Sequence, residues 1–94
     1  TCLLRGCIPT KALLEAASLY ESIREAPEFG IQADMVRYDW SAVNKRKAKV
    51  VDANSKGVSF LFRKNKIDFH VGTASFAGPG LVDVKKADGG TSQL

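Results

Sequence analysis

Ninety-four residues allow at most one small domain, and 45% hydrophobic with 26% charged residues argues against a disordered chain. No apolar run approaches the roughly 20 residues that span a bilayer, and no leader pattern opens the sequence, so this stretch is not expected to insert in a membrane. The net charge of +4 is uneven, with eight basic residues and one acid, Asp52, between Lys45 and Lys66. Such a run could attract phosphate, yet no RNP, zinc-finger or helix-turn-helix signature accompanies it. A solvated helix face is expected there, and no nucleic-acid partner.

The sequence begins on Thr1 and finishes on Gly89-Gly90-Thr91-Ser92-Gln93-Leu94, which reads as a strand leaving a turn. Both ends are expected to be cuts through a larger protein. Pro9 to about Ala26 is predicted as a helix. Pro9 suits the first helical turn, Leu13, Ala16, Ala17, Tyr20 and Ile23 form one apolar stripe, and Pro27 with Gly30 stops it.

A loop leads to a second predicted helix, from about Trp40 or Ser41 to Lys64. Ser41 is the expected cap, and Val43, Val50, Val58, Leu61 and Phe62 supply the apolar face. Gly57 weakens it by about 1 kcal/mol relative to Ala, and Asn65 is expected to close it. The period then changes to two: Ile67, Phe69 and Val71 alternate with Asp68 and His70, predicting a half-buried strand. Thr73 to Phe76 is expected as a second strand, Ala77-Gly78-Pro79-Gly80 as a turn, and Val82 and Val84 as a third before Asp88-Gly89-Gly90 reverses the chain. Two helices and a β-meander over about 67–94 is the expected α/β arrangement.

Two cysteines, Cys2 and Cys7, lie in the run Thr1-Cys2-Leu3-Leu4-Arg5-Gly6-Cys7-Ile8-Pro9-Thr10-Lys11. A bond closing so short a loop would be a weak structural staple. Zinc is disfavoured, since only these two thiols and His70 could serve as Cys or His ligands. In a regular helix, residues five apart lie about 8–9 Å apart at Cα, beyond the roughly 7 Å that a disulfide tolerates. A bonded pair therefore requires a distorted chain, expected around Gly6. Cys7 also precedes a helix start, where the dipole favours a thiolate. A redox pair and two buried, unbonded thiols both remain open on the spacing alone.

The run Gly6-Cys7-Ile8-Pro9-Thr10-Lys11, with Cys2 five residues before Cys7, resembles the hallmark of the pyridine nucleotide–disulfide oxidoreductases, a family of flavoenzymes. Ala12-Leu13-Leu14 and the later Lys86-Ala87-Asp88-Gly89-Gly90-Thr91 are most similar to the branch that oxidises dihydrolipoamide. The resemblance extends over essentially the whole chain. Leu4 and Arg5 stand where the family usually has Asn and Val, and Thr10 replaces the commoner Ser.

The resemblance implies a partial FAD-binding domain over residues 1–94, with a redox-disulfide helix at 1–26 and a second helix at about 41–64. It would be part of a larger flavoenzyme with two dinucleotide-binding domains. It implies a redox-active Cys2–Cys7 disulfide, Cys2 as the interchange thiol and Cys7 as the thiolate against the flavin. Thr1, Lys11, Gly72 and Ala74 are implied as FAD contacts, the last two at the adenine end. The implied reaction is oxidation of dihydrolipoamide to lipoamide with FAD and NAD, the substrate being carried on a lipoyl domain of 2-oxo acid dehydrogenase complexes. A homodimer in the bacterial cytoplasm or mitochondrial matrix is implied for the full-length protein. Another disulfide or mercuric reductase of the family is the nearest alternative, and a small basic binding module with incidental cysteines the alternative of a different class.

No Gly-x-Gly-x-x-Gly run occurs in the sequence. In the family that fingerprint precedes the cysteines, so the fragment alone is expected to be inactive. The family's histidine base belongs to a distant motif, and His70 is expected only to face solvent. Trp40, Phe60 and Phe62 are expected to pack, and Asp68 has no visible partner.

Overall fold

A computed structural model describes the whole chain, Thr1–Leu94. It contains a short helix α1 (Cys2–Arg5), helix α2 (Cys7–Glu25), a 3-10 turn (Ala26–Phe29) and helix α3 (Trp40–Lys64). Strands β1 (Thr73–Gly78), β2 (Leu81–Lys85) and β3 (Thr91–Gln93) follow. The chain divides into two compact units, Thr1–Leu61 and Phe62–Leu94.

In the first unit, helix begins earlier than the sequence predicts. α2 opens at Cys7, with Gly6 preceding it and Thr10 N–H donating to the Gly6 carbonyl at 3.1 Å. Pro9 is thus the third residue of α2, a position whose N–H has no intrahelical partner anyway, so the ring removes no bond. At the far end Gly30, at φ 75, takes the left-handed conformation. Gly30 N–H donates to the Pro27 carbonyl and Ile31 N–H to the Ala26 carbonyl, at 3.1 and 3.2 Å. These crossed bonds are a Schellman cap. Pro27 and Gly30 therefore stop the helix as expected.

The cap of α3 is a correction. Asp39, not Ser41, holds the first turn, its Oδ1 accepting from Ser41 N–H at 2.9 Å and Ala42 N–H at 3.3 Å. A carboxylate there also faces the positive end of the helix dipole. The only buried residue of this unit is Ala12. Leu13, Ala16, Tyr20 and Ile23 of α2 and Val43, Val50 and Val58 of α3 are half-buried, on the stripes expected of them, whereas Ala17 and Leu61 are exposed. No Cα of α2 comes within 8 Å of one in α3. One exposed ion pair, Arg46 to Glu15 at 3.4 Å, bridges the two helices.

Along α3, Lys56 pairs with Asp52 at 2.8 Å, one turn back. The hydrogen bond to Asp52 and then its charge raise the Lys56 pKa above the ordinary lysine value. Any stability from this pair is present below the ordinary lysine pKa and is lost as pH rises through the raised one. Exposure of both partners keeps it small.

The second unit begins with the last residues of α3. Lys66, not Asn65, takes the left-handed conformation that ends the helix, at φ 55. Its N–H donates to the Arg63 carbonyl at 3.2 Å, and Ile67 N–H reaches the Phe62 carbonyl at 2.9 Å. The predicted strand over Ile67–Val71 does not form; the first strand starts at Thr73. The alternating pattern is present, but nothing in the chain pairs with it, and an extended segment needs a hydrogen-bonded neighbour to be a strand. Phe69 instead packs on Phe62, with ring centroids 5.6 Å apart.

The remaining strands form an antiparallel meander in the order β1-β2-β3. Pro79-Gly80 makes the first reversal, with Gly80 at φ 71 where a type II turn demands a positive angle. Asp88-Gly89-Gly90 makes the second, the Asp88 Oδ1 accepting from Gly90 N–H at 2.9 Å. Val84, on the central strand β2 between Ala74 and Ser92, is the one buried residue of this unit. No helix of the chain is long and apolar enough to cross a membrane.

Candidate functional site

Cys2 and Cys7 are joined by a disulfide. Both residues are exposed, which corrects the alternative of two buried, unbonded thiols. Their Cα atoms are 4.6 Å apart, about half the separation that five residues of regular helix would impose. The shortening arises at Gly6, where the helix breaks between α1 and α2 with φ −125 and ψ −102. A Cβ on Gly6 would stand 3.2 Å from Cys2 Cα and 3.3 Å from the Thr1 carbonyl oxygen. A side chain there would press backbone atoms a few tenths of an ångström apart, so glycine suits the close fold of the turn. The break expected around Gly6 is where the structure has it.

α1 is a single turn, closed by Arg5 N–H donating to the Thr1 carbonyl at 2.8 Å. Cys7 is the first residue of α2, so its sulfur lies at the positive end of a 19-residue helix. Lys11 follows one turn later; residues four apart share a helix face, so its cation is on the face that carries Cys7. Thr1 and Lys11 are both exposed. The dithiol pair, Thr1 and Lys11 are thus gathered in one short stretch of the first unit.

Gly72 and Ala74 belong to the second unit. A Cβ on Gly72 would meet the Lys85 carbonyl oxygen at 2.5 Å and Val84 Cγ1 at 2.7 Å. The sheet itself thus demands glycine at position 72, whatever else approaches it. Ala74 is exposed on β1, an edge strand whose outer side leaves alternate backbone N–H and C=O groups unpaired within the sheet.

Two cavities of the first unit escaped sequence reasoning. A cavity of about 300 Å³ lies beside the disulfide turn, lined by Leu4, Pro9, Lys47, Ala48, Val51, Asp52 and Ser55. A larger cleft of about 480 Å³ separates α2 from the start of α3, with Leu13, Leu14, Tyr20, Tyr38 and Trp40 among its walls. The Tyr20 and Tyr38 rings meet edge to face with centroids 5.7 Å apart. The larger cleft is almost wholly apolar, and the smaller cavity takes one wall residue, Leu4, from between the two cysteines. The predicted stripes supply part of the larger cleft's walls, through Leu13, Ala16, Ala17, Tyr20 and Val43, and none of the smaller cavity's.

His70 is exposed, as expected, although its segment is not a strand. Trp40 and Phe60, expected to pack, are 59% and 55% exposed, and only Phe62 finds an aromatic neighbour. No group of three or more Cys, His, Asp or Glu could hold a metal ion.

No family model matches the chain. Curated proteins do. A dihydrolipoyl dehydrogenase of Bacillus subtilis is 40% identical over 96 aligned residues, covering 95% of this chain and 20% of its own length. Dihydrolipoyl dehydrogenase 3 of Pseudomonas aeruginosa is 43% identical over 100% of this chain and 20% of its own. The mitochondrial dihydrolipoyl dehydrogenase of Schizosaccharomyces pombe is 37% identical over 99% of the chain and 18% of its own. The chain thus spans about a fifth of the length of the curated relatives it matches. With these alignments running along nearly the whole chain, cysteine run included, the chain belongs to the dihydrolipoyl dehydrogenase family.

Proposed function

We propose that this chain carries the dithiol centre of an oxidoreductase that converts dihydrolipoamide to lipoamide and delivers the electrons to NAD⁺. The observation that supports this best is the exposed Cys2–Cys7 disulfide, held across a break in the helix within the run shared with the family. A buried staple would be inaccessible to a thiol; this one is open to attack.

The exchange balances as follows. One thiolate of dihydrolipoamide attacks Cys2 Sγ; the Cys2–Cys7 bond breaks, a mixed disulfide forms at Cys2, and Cys7 leaves as a thiolate. The second substrate thiol, once deprotonated, attacks the substrate sulfur of the mixed disulfide. Lipoamide departs as a cyclic disulfide and Cys2 is released as a thiolate. The substrate loses two electrons and two protons, and the protein disulfide gains the two electrons.

Bound FAD would supply the two-electron relay from the dithiol to NAD⁺. Thr1 and Lys11 would hold it near the cysteines and the Gly72–Ala74 stretch at its adenine end, with residues 1–94 forming part of the FAD-binding domain. In that domain Ile67–Val71 would find the sheet neighbour it lacks here. The lipoyl domain of a 2-oxo acid dehydrogenase complex is the partner this reaction needs, a homodimer the assembly, and the bacterial cytoplasm or mitochondrial matrix its setting.

The test is direct. The intact protein, isolated and incubated with dihydrolipoamide, should open the Cys2–Cys7 bond, bleach a flavin spectrum and then reduce NAD⁺. A colourless protein whose disulfide ignores the dithiol would sink this reading and favour a basic binding module.

A further inference from the structure

Of the four residues between the cysteines, one is charged, the cation Arg5. Arg5 ends α1, three residues after Cys2 and two before Cys7. Residues three apart on a helix are neighbours, so Arg5 lies on the face of α1 that carries Cys2. It is exposed, and its side chain forms no ion pair; the two ion pairs of the chain are Arg46–Glu15 and Lys56–Asp52. No acidic residue precedes Glu15 in the sequence, and Glu15 is held by Arg46.

The other charges around the disulfide turn have the same sign or are spent. Lys11 is cationic, and α3 brings Lys47 and Asp52 to the cavity lined by Leu4 and Pro9. Asp52 is held by Lys56 at 2.8 Å. Within residues 1–94 no carboxylate pairs with this guanidinium, which stands one helical turn from Cys2, the sulfur that the proposed exchange releases as an anion.

We infer that Arg5 is a positioning residue for charge: its guanidinium stabilises the thiolate released at Cys2 when the oxidised substrate departs. This rests on the exchange reading given above. The proton balance is unchanged; the cation lowers the free energy of the thiolate relative to the thiol, so Cys2 gives up its proton at lower pH and is a better leaving group. Unit charges about 6 Å apart at a water-exposed position attract enough to shift an equilibrium about threefold.

The experiment uses the intact, flavin-loaded protein, reduced with dihydrolipoamide and alkylated with iodoacetamide across a pH series. Each cysteine is read separately by mass spectrometry. In Arg5→Gln the pH midpoint of Cys2 alkylation should rise by about 0.5, while Arg5→Lys keeps it near the wild-type value. The Cys7 midpoint should move less. Because the Arg5 side chain is exposed and unpaired, both variants should keep the wild-type circular dichroism. An unmoved Cys2 midpoint in Arg5→Gln would overturn the role of Arg5 while leaving the exchange reading intact. A wild-type disulfide that dihydrolipoamide cannot open would overturn the exchange reading, and this inference with it.

Discussion

At position 6 a hydrogen atom leaves room for the turn that brings two sulfurs together. Gly6 sits against Cys2 Cα and the Thr1 carbonyl, so even a methyl group must displace backbone, not a flexible side-chain end. Gly6→Val should lower the equilibrium constant for closing the Cys2–Cys7 bond on the order of tenfold, as overpacking by about 1–3 kcal/mol implies. A glutathione redox titration reads this directly, and an unchanged constant would show that the turn yields freely. The two sulfurs themselves should be unequal. Cys7→Ser should remove the long-wavelength absorption of the reduced, flavin-loaded protein, and Cys2→Ser should retain it; the opposite pattern would exchange their roles. The place where the helix breaks was legible in the sequence, because Cys-x-x-x-Gly-Cys-x-Pro sets a glycine between two sulfurs that a regular helix would hold too far apart to bond. Arg5 was legible as a departure, though its lack of a counter-ion emerges only in three dimensions.

Helix ends were harder to read than helix bodies. The stripes of α2 and α3 follow from the 3.6-residue period, but a cap depends on one backbone angle, and neighbouring polar residues compete for it. Ser41 and Asp39 both suit a cap; the first turn at Trp40 selects Asp39. Asp39→Ala should cost about 1 kcal/mol of helix stability, measurable by urea unfolding of the intact protein. At the other end Lys66 adopts a conformation that disfavours a side chain, while the same crossed hydrogen bonds at Gly30 use glycine. Lys66→Gly should therefore stabilise the protein by about 1 kcal/mol, even though it removes a surface charge and no contact. A destabilised variant would mean that the lysine chain contributes packing there. The segment Ile67–Val71 shows the limit of pattern alone: alternation states which faces differ, whereas strand formation requires a partner that the pattern does not supply.

Across the whole molecule, each unit closes around a single buried residue, Ala12 in one and Val84 in the other. Composition could not foretell this, since 45% hydrophobic content is as compatible with a closed core as with open faces. Leu14, Leu19, Met35 and Trp40 in the first unit, and Phe69, Val71 and Phe76 in the second, are all more than half exposed. Correspondingly, the relatives are about five times as long as the region they share with this chain. The edge strand β1 carries this exposure to its extreme, with Phe76 at 93% beside backbone groups that have no neighbour on one side. A bare edge with an aromatic on it is a template for its own kind. Produced as a separate 94-residue polypeptide, the chain should therefore self-associate as its concentration rises, through edge-to-edge strand pairing. Light scattering would detect this, and Phe76→Lys should delay it by setting like charges face to face along the growing edge.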